Sequence, residues 1–393
     1  MRAFACLLVV FHHLTQRLNP DPMVLPRWLQ DVHCFGMRGE VGVSIFFVLS
    51  GCLLSLPFWK AFLADQPTPR LRMYASSRLA RIVPAYYLLL LVSALLGAML
   101  FRFPTNYARV VASMTFVNNF NYKTFFPSDI DTPMWSIGLE VWCYILLPLV
   151  LLSILGRIRT LRGAALSLFG FIAFLQALNP WLISVLMTDG HRKGWQYGLV
   201  GGAKVWFPYW NLATFFSQFL LGSAAALYIC ARAHTRSAPR LRADLVGVSA
   251  LVVAFVLVLI RLNPGNPDEF TRQPYVSPFF AALIALSIAA TSQGKWFWRV
   301  LDNQVLKYVA KISFGLYLWH WLIISLIQFK WEPNFLYFGM HSVARWAEVS
   351  SAVLLASAVI ASLSWFIVEQ PILNWNRRIT AAEDRNSDTQ LPS

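Results

Sequence analysis

Val41-Gly42-Val43-Ser44-Ile45-Phe46-Phe47-Val48-Leu49-Ser50-Gly51-Cys52-Leu53-Leu54-Ser55-Leu56-Pro57-Phe58-Trp59 runs for 19 residues without a formal charge, between Glu40 and Lys60. A helix rises about 1.5 Å per residue, so this stretch is long enough to cross a hydrocarbon core of roughly 30 Å. Comparable apolar runs recur at 3–18, 82–101, 135–155, 164–185, 210–230, 244–262, 277–293, 308–328 and 350–370, which with 41–60 makes ten. The chain is 57% hydrophobic and 13% charged, against roughly 25% charged in a soluble domain. A soluble globule is excluded. The expected fold is all-α: a polytopic transmembrane bundle of about ten helices over residues 1–375, followed by a short polar tail, 376–393. Turn signals such as Asn19-Pro20 and Asn263-Pro264-Gly265-Asn266-Pro267 punctuate the spans, and no internal repeat or separate soluble domain is visible.

The net charge of +15 raises the question of a nucleic-acid partner, and the distribution of the charge answers it. With ten spans and a cytoplasmic N-terminus, the inner segments hold Arg2; Lys60, Arg70, Arg72, Arg78 and Arg81; Arg157, Arg159 and Arg162; Arg232, Arg236, Arg240 and Arg242; Lys295, Arg299, Lys307 and Lys311; and Arg377, Arg378 and Arg385. That is 20 of 33 basic residues. The acids Asp21, Asp31, Asp129, Asp131, Asp268 and Glu269 fall mostly outside. This is the positive-inside pattern of a membrane protein with both termini cytoplasmic, and no RNP-type or zinc-finger spacing supports nucleic acid. Cys6, Cys34, Cys52, Cys143 and Cys230 form no CxxC pair and read as small core hydrophobes, so no metal site follows from them. The first span has a single leading Arg and no small-x-small cleavage signal, and reads as a retained helix.

Ionisable groups inside spans are costly and mark function by default. In the first span, Arg2 and His13 are eleven positions apart and lie within about 20° of one helix face, with His13 roughly 17 Å beyond Arg2. His12 points elsewhere. The bland reading of His13 is a helix-end side chain snorkelling to the interface. Glu140, in Trp135-Ser136-Ile137-Gly138-Leu139-Glu140-Val141-Trp142-Cys143-Tyr144, is expected at a similar depth in the outer half. A histidine and a carboxylate are what removal of a hydroxyl proton requires; the competing role for Glu140 is helix packing. Arg78 and Arg81, at i and i+3 before Pro84-Ala85-Tyr86, form a fork suited to phosphates, or else topology anchors. Tyr317-Leu318-Trp319-His320-Trp321 carries a second intramembrane histidine, with Trp319 and Trp321 readable as interfacial aromatics. Glu369-Gln370-Pro371 is expected to end the last helix at the inner boundary. Gly42, Ser50 and Gly51 permit close helix approach.

Taken in order, Arg2 with His13, the Gly39-to-Gly51 run ending Phe-Phe-Val-Leu-Ser-Gly, Arg78-x-x-Arg81-Ile with Pro84-x-Tyr86, Trp135-Ser136 with Glu140 and Tyr144, Tyr317-Leu318-Trp319-His320, and Glu369-x-Pro371 resemble the acyltransferase-3 family of membrane-bound O-acyltransferases. The resemblance runs from residue 2 to about 375. It implies ten helices, acyl-CoA as donor, essential roles for the first-helix Arg and His (Arg2, His13), and a donor role for Arg78 and Arg81. Tyr86, Trp135, Tyr317 and His320 are the further substrate-binding candidates. Cys52 and Phe314 stand where Phe and Tyr are common, and Arg2 follows Met1 directly. Some relatives carry a fused SGNH-hydrolase-like domain; none is expected here, so transfer would finish in the membrane domain or on a separate partner.

The expected activity is transfer of an acyl group, acetyl first, from acetyl-CoA or another acyl-CoA to a hydroxyl of a carbohydrate such as a cell-surface polysaccharide or lipopolysaccharide sugar, in the inner membrane. His13 and Glu140 would act on the acceptor hydroxyl, or His13 would carry the acyl group as an acyl-imidazole. No bound cofactor is expected; the partners are the acyl-CoA, the acceptor, the bilayer, and a second copy or glycan-assembly proteins. The alternatives are a flippase or transporter for a lipid-linked glycan, which would show inverted repeats, a sugar-polymer ligase with larger outer loops, and an acyltransferase for a macrolide-type molecule. The charge bias makes a direct prediction about topology: an impermeant thiol reagent should leave an Arg236→Cys site unlabelled in intact cells, in a background without native cysteines. Labelling from outside would overturn the orientation with both termini inside.

Overall fold

The computed structural model describes residues 1–21, 23, 25–102, 106–234, 241–260, 273–295, 297 and 302–388. The Asn263-to-Pro267 turn, Arg236, Arg240, Asp268, Glu269 and Arg299 lie outside them. Among the described residues the chain is helical without strands, apart from one isolated bridge between Leu18 and Met340. Its helices are α1 (Arg2–Thr15), α2 (Arg27–Gly36), α3 (Val41–Leu63), α4 (Leu71–Met99), α5 (Tyr107–Met114), α6 (Trp135–Leu155), α7 (Leu161–Leu186), α8 (Gly198–Trp206), α9 (Leu212–His234), α10 (Leu241–Ile260), α11 (Gln273–Thr291), α12 (Gln304–Lys330), α13 (Val343–Ser364) and α14 (Gln370–Asp388).

Among the described residues, eight helices are long and apolar enough to cross a membrane: α3, α4, α6 with its preceding turn, α7, α9, α10, α12 and the α13–α14 run. The first and eighth expected spans appear as shorter apolar helices, Arg2–Thr15 and Pro278–Thr291. Helices satisfy every backbone N–H and C=O internally, which is why apolar segments of this length fold this way in lipid. The chain is a multi-pass membrane protein. Pro57, Pro84, Pro148, Pro180 and Pro278 sit inside helices, as neighbouring helices allow in a bundle. Cys6, Cys52, Cys143 and Cys230 are buried and Cys34 is exposed.

The α1 helix lies between α3 and α12. Gly42 of α3 and Gly39 in the turn before it approach the Ala5 and Leu8 carbonyls of α1 in antiparallel order. Against α12, the Cys6 thiol donates to the Ser313 carbonyl, and seven residues further along both helices His13 meets His320. The two helices are therefore parallel and in constant register over two turns. The α3 and α9 helices are also parallel: Phe47 packs on Phe215, and four residues on, Gly51 lies under the Phe219 carbonyl. Gly222 answers it by lying against the Val48 carbonyl. The small residues read from the sequence thus serve direct backbone approach.

One expectation is corrected at Pro371. The last helix does not stop there: a π-helical turn, Trp365–Glu369, intervenes, and α14 continues to Asp388. A proline lacks the N–H and crowds the carbonyl four residues back, but the first turn of a helix tolerates it. The widened π turn resets the ladder so that Pro371 falls in that first turn. Residues 376–388 of the expected tail are accordingly helical.

A Cβ added at Gly51 would clash with the Phe219 carbonyl oxygen, a backbone atom that cannot swing aside. Gly51→Ala should force α3 and α9 apart and destabilise by about 1–3 kcal/mol, as overpacking does. Gly97, which has nothing within 4 Å of its built Cβ, is the control. Thermal melts of the two purified alanine variants should show a lower midpoint for the first only.

Candidate active site

The shared register of α1 and α12 brings His13 Nδ1 to 2.7 Å from His320 Nε2, with the rings stacked at 5.0 Å and 10°. The protons follow from the surroundings. His320 is wholly buried, and its Nδ1 faces only acceptors, the Tyr317 carbonyl at 2.8 Å and the Leu316 carbonyl at 3.2 Å. Its Nδ1 therefore carries the hydrogen and its Nε2 accepts. His13 must then donate from Nδ1, leaving the lone pair on its own Nε2 free. His13 is half-buried, and the edge of Trp321 packs against it at 4.6 Å.

His12 is occupied differently. Its ring is buried, Gln16 Nε2 donates to its Nε2 at 3.0 Å, and its Nδ1 donates to the Gly36 carbonyl at 3.3 Å, with Glu40 at 3.9 Å. The Nδ1 bond ties α1 to the end of α2, and Nε2 is taken up by Gln16 one turn on along α1. The turn of about 100° between adjacent helix positions separates the two roles, as the sequence suggests.

Beneath the histidine pair, Tyr317 donates to the Pro133 carbonyl at 3.0 Å and shares a 2.7 Å hydrogen bond with the Ser136 hydroxyl. One turn along α6, Glu140 accepts from the Tyr144 hydroxyl and, at 3.3 Å, from Ser50 of α3. Since Ser136 is level with Tyr317, one turn inward of His320, Glu140 sits roughly 10 Å toward the Arg2 end from His13. The structure does not bring Glu140 against His13. It brings Glu140 toward the arginines: Arg2 and Arg78 are electrostatic neighbours of Tyr144, and both are neighbours of Arg81.

Those arginines differ in their ties. Arg2 and Arg78 are half-buried, and Arg78 Nε donates to Ser77 at 3.4 Å. Arg81 is 3.4 Å from Glu369, which the π turn buries, and its guanidinium packs on Phe314 and Trp365. Trp135 and Tyr86 go to packing layers. The Trp135 ring stacks on Trp210 at 4.1 Å, and Tyr86 lies between α4 and Phe116 with its hydroxyl aimed at the Ser113 carbonyl. A small cleft of about 40 Å³ opens near Arg109 and Asp129 between α4 and α5, apart from all of these residues.

A histidine pair thus stands at one end of the first helix of this membrane bundle, and converging guanidiniums stand at the other. The chain belongs to the acyltransferase-3 family: the family profile, described as an acyltransferase domain, matches residues 1–368. Membership in a family of acyltransferases sets the transporter and ligase readings aside. It is similar to the O-acetyltransferase OatA of Staphylococcus aureus, strains NCTC 8325 and COL, at 24% identity over 387 residues, covering 95% of this chain and 56% of each relative. The chain thus spans little more than half the length of these relatives. No solved structure matches it.

Three residues escaped the sequence reading. Glu369 was seen but not as the partner of Arg81, which requires long-range placement. Asp131, counted among external acids, is fully buried with neither carboxylate oxygen hydrogen-bonded, and burial pushes its carboxyl well above the usual carboxylate range. Arg17, one turn beyond His13, is buried as well; its i+4 spacing from His13 is the signal that could have found it. For the Arg81–Glu369 pair, Glu369→Ala should leave a buried guanidinium unpaired and cost about 3–5 kcal/mol. Adding Arg81→Met should recover much of that loss in a thermal melt. If Glu369→Ala melts like the parent, the pair is not structural.

Proposed function

We propose that this enzyme is an acetyl-CoA-dependent O-acetyltransferase of the inner membrane that acetylates a hydroxyl of a cell-surface polysaccharide or lipopolysaccharide sugar, with His13 as general base. The observation that carries the reading is the His13–His320 hydrogen bond, because the tautomers it fixes leave a basic nitrogen on a half-buried ring. The names of the relatives support acetyl transfer to oxygen. On the orientation read from charge, Arg2, Arg78 and Arg81 face the cytoplasm, where CoA is, and the acceptor reaches His13 from the far side.

The CoA phosphates rest on Arg78 and Arg2, with Arg81 braced by Glu369, and the pantetheine arm runs along α1 past Glu140 and Tyr144. The acceptor hydroxyl gives its proton to His13 Nε2 as its oxygen attacks the thioester carbonyl carbon. The imidazolium keeps its Nδ1–H bond to His320, which the two α12 carbonyls hold still. When the tetrahedral intermediate collapses, the C–S bond breaks and the thiolate of CoA takes the proton from His13. Tyr317 and Ser136 position α6 against α12 below the reacting atoms, and Glu140 with Tyr144 lines the donor path.

General-base assistance contributes about 10²- to 10⁴-fold. His13→Ala should reduce transfer of labelled acetyl from acetyl-CoA into the membrane glycan fraction by that factor while the protein still inserts. His12→Ala should lower thermal stability, since it unties Gly36 and Gln16, yet keep turnover per folded molecule within a few fold of the parent, a difference of less than about 1.4 kcal/mol in the barrier. Undiminished transfer by His13→Ala at matched expression would remove the base from His13.

A further inference from the structure

Arg17 follows the last turn of α1, and its side chain returns to the histidine pair. It is only 6% exposed, its Nε is buried with no hydrogen-bond partner, and its guanidinium lies 4.9 Å over the Trp321 ring. Trp321 is the same indole whose ring meets His13 at 4.6 Å. His13 and Arg17 are four positions apart, Arg17 standing in the turn that closes α1, and Trp321 contacts both. Both histidine rings are within electrostatic reach of the guanidinium. Among the described residues no carboxylate forms an ion pair with it.

A buried cation without an anion is expensive unless something supplies the missing charge. The cation–π contact with Trp321 offsets part of that cost. The place is also fixed: the Met340 amide donates to the Arg17 carbonyl at 2.9 Å and the Phe338 amide to the Gln16 carbonyl at 2.8 Å, so the loop between α12 and α13 holds the end of α1. A rigid, desolvated donor within one helical turn of the base is what stabilises charge that develops only during reaction.

We propose that Arg17 is the oxyanion-binding residue of the transfer. As the acceptor oxygen bonds to the thioester carbon and its proton passes to His13, the carbonyl π electrons move onto oxygen. That oxygen faces the unpaired guanidinium, which holds the negative charge until the carbonyl re-forms and the C–S bond breaks. The inference rests on the acyl-CoA reading above and adds a residue to it.

The test uses two non-reactive CoA thioethers on the full-length purified protein: carboxymethyl-CoA, with a carboxylate at the acyl position, and acetonyl-CoA, with a neutral ketone. Charge-assisted hydrogen bonds correspond to about 10- to 100-fold in affinity. Wild type should prefer carboxymethyl-CoA by that factor, Arg17→Lys should keep part of the preference, and Arg17→Gln should lose it while binding acetonyl-CoA as before. In the glycan acetylation assay Arg17→Gln should lose about 10²- to 10³-fold in kcat with KM for acetyl-CoA unchanged. Equal binding of both thioethers by wild type, or an undiminished preference in Arg17→Gln, overturns the role of Arg17 alone. Failure of wild type to bind either one overturns the acyl-CoA donor, and this proposal with it.

Discussion

The hydrogen bond from His13 to His320 is possible only if two helices separated by most of the chain are parallel, in register and close. Every neighbouring feature serves that condition. Gly39 and Gly42 let α3 approach the backbone of α1 from one side, and the Cys6–Ser313 contact sets α12 against the other two turns earlier. His12 then locks the rotation of α1 by tying its other face to Gly36. With rotation and height both fixed, the lone pair of His13 is directed, through His320, by the Leu316 and Tyr317 carbonyls.

The same geometry separates charges along α1. Arg2 lies at one end with Arg78 and Arg81, and the histidine pair with Arg17 at the other. Glu140 occupies the interval, satisfied by Tyr144 and Ser50. A carboxylate is tolerable in a membrane interior when hydroxyls and cations surround it, and this one has both. It stands apart from His13, bonded to Tyr144 and Ser50 in the interval between the two ends.

Much of this was legible in the sequence because it is periodic. Apolar run length gave the order of spans, and helical periodicity placed Arg2 with His13 and set His12 apart. What was hidden depends on contacts between distant segments. Nothing local announces that His320 and not Glu140 meets His13, since that is decided by which helices neighbour α1. Pro371 read as a stop because the rule is local, whereas the π turn that admits it also turns Glu369 toward Arg81. Asp131 read as an outer acid because loop carboxylates usually face water; here the Thr132–Met134 turn and the aromatic layer of Phe125, Trp135 and Trp210 enclose the segment.

The C-terminal end of α1, where His13 and Arg17 stand, is held by protein. The chain must leave the helix while still enclosed, and carbonyls freed there need donors that lipid cannot supply. The loop after α12 supplies them: the Phe338 and Met340 amides pair with the Gln16 and Arg17 carbonyls, and the Asn19 amide returns to the Met340 carbonyl. Irregular backbone at such depth persists only where protein or a water-filled cavity covers it. Roofed by this loop, the end of α1 keeps its carbonyls paired at the level where His13 and Arg17 stand.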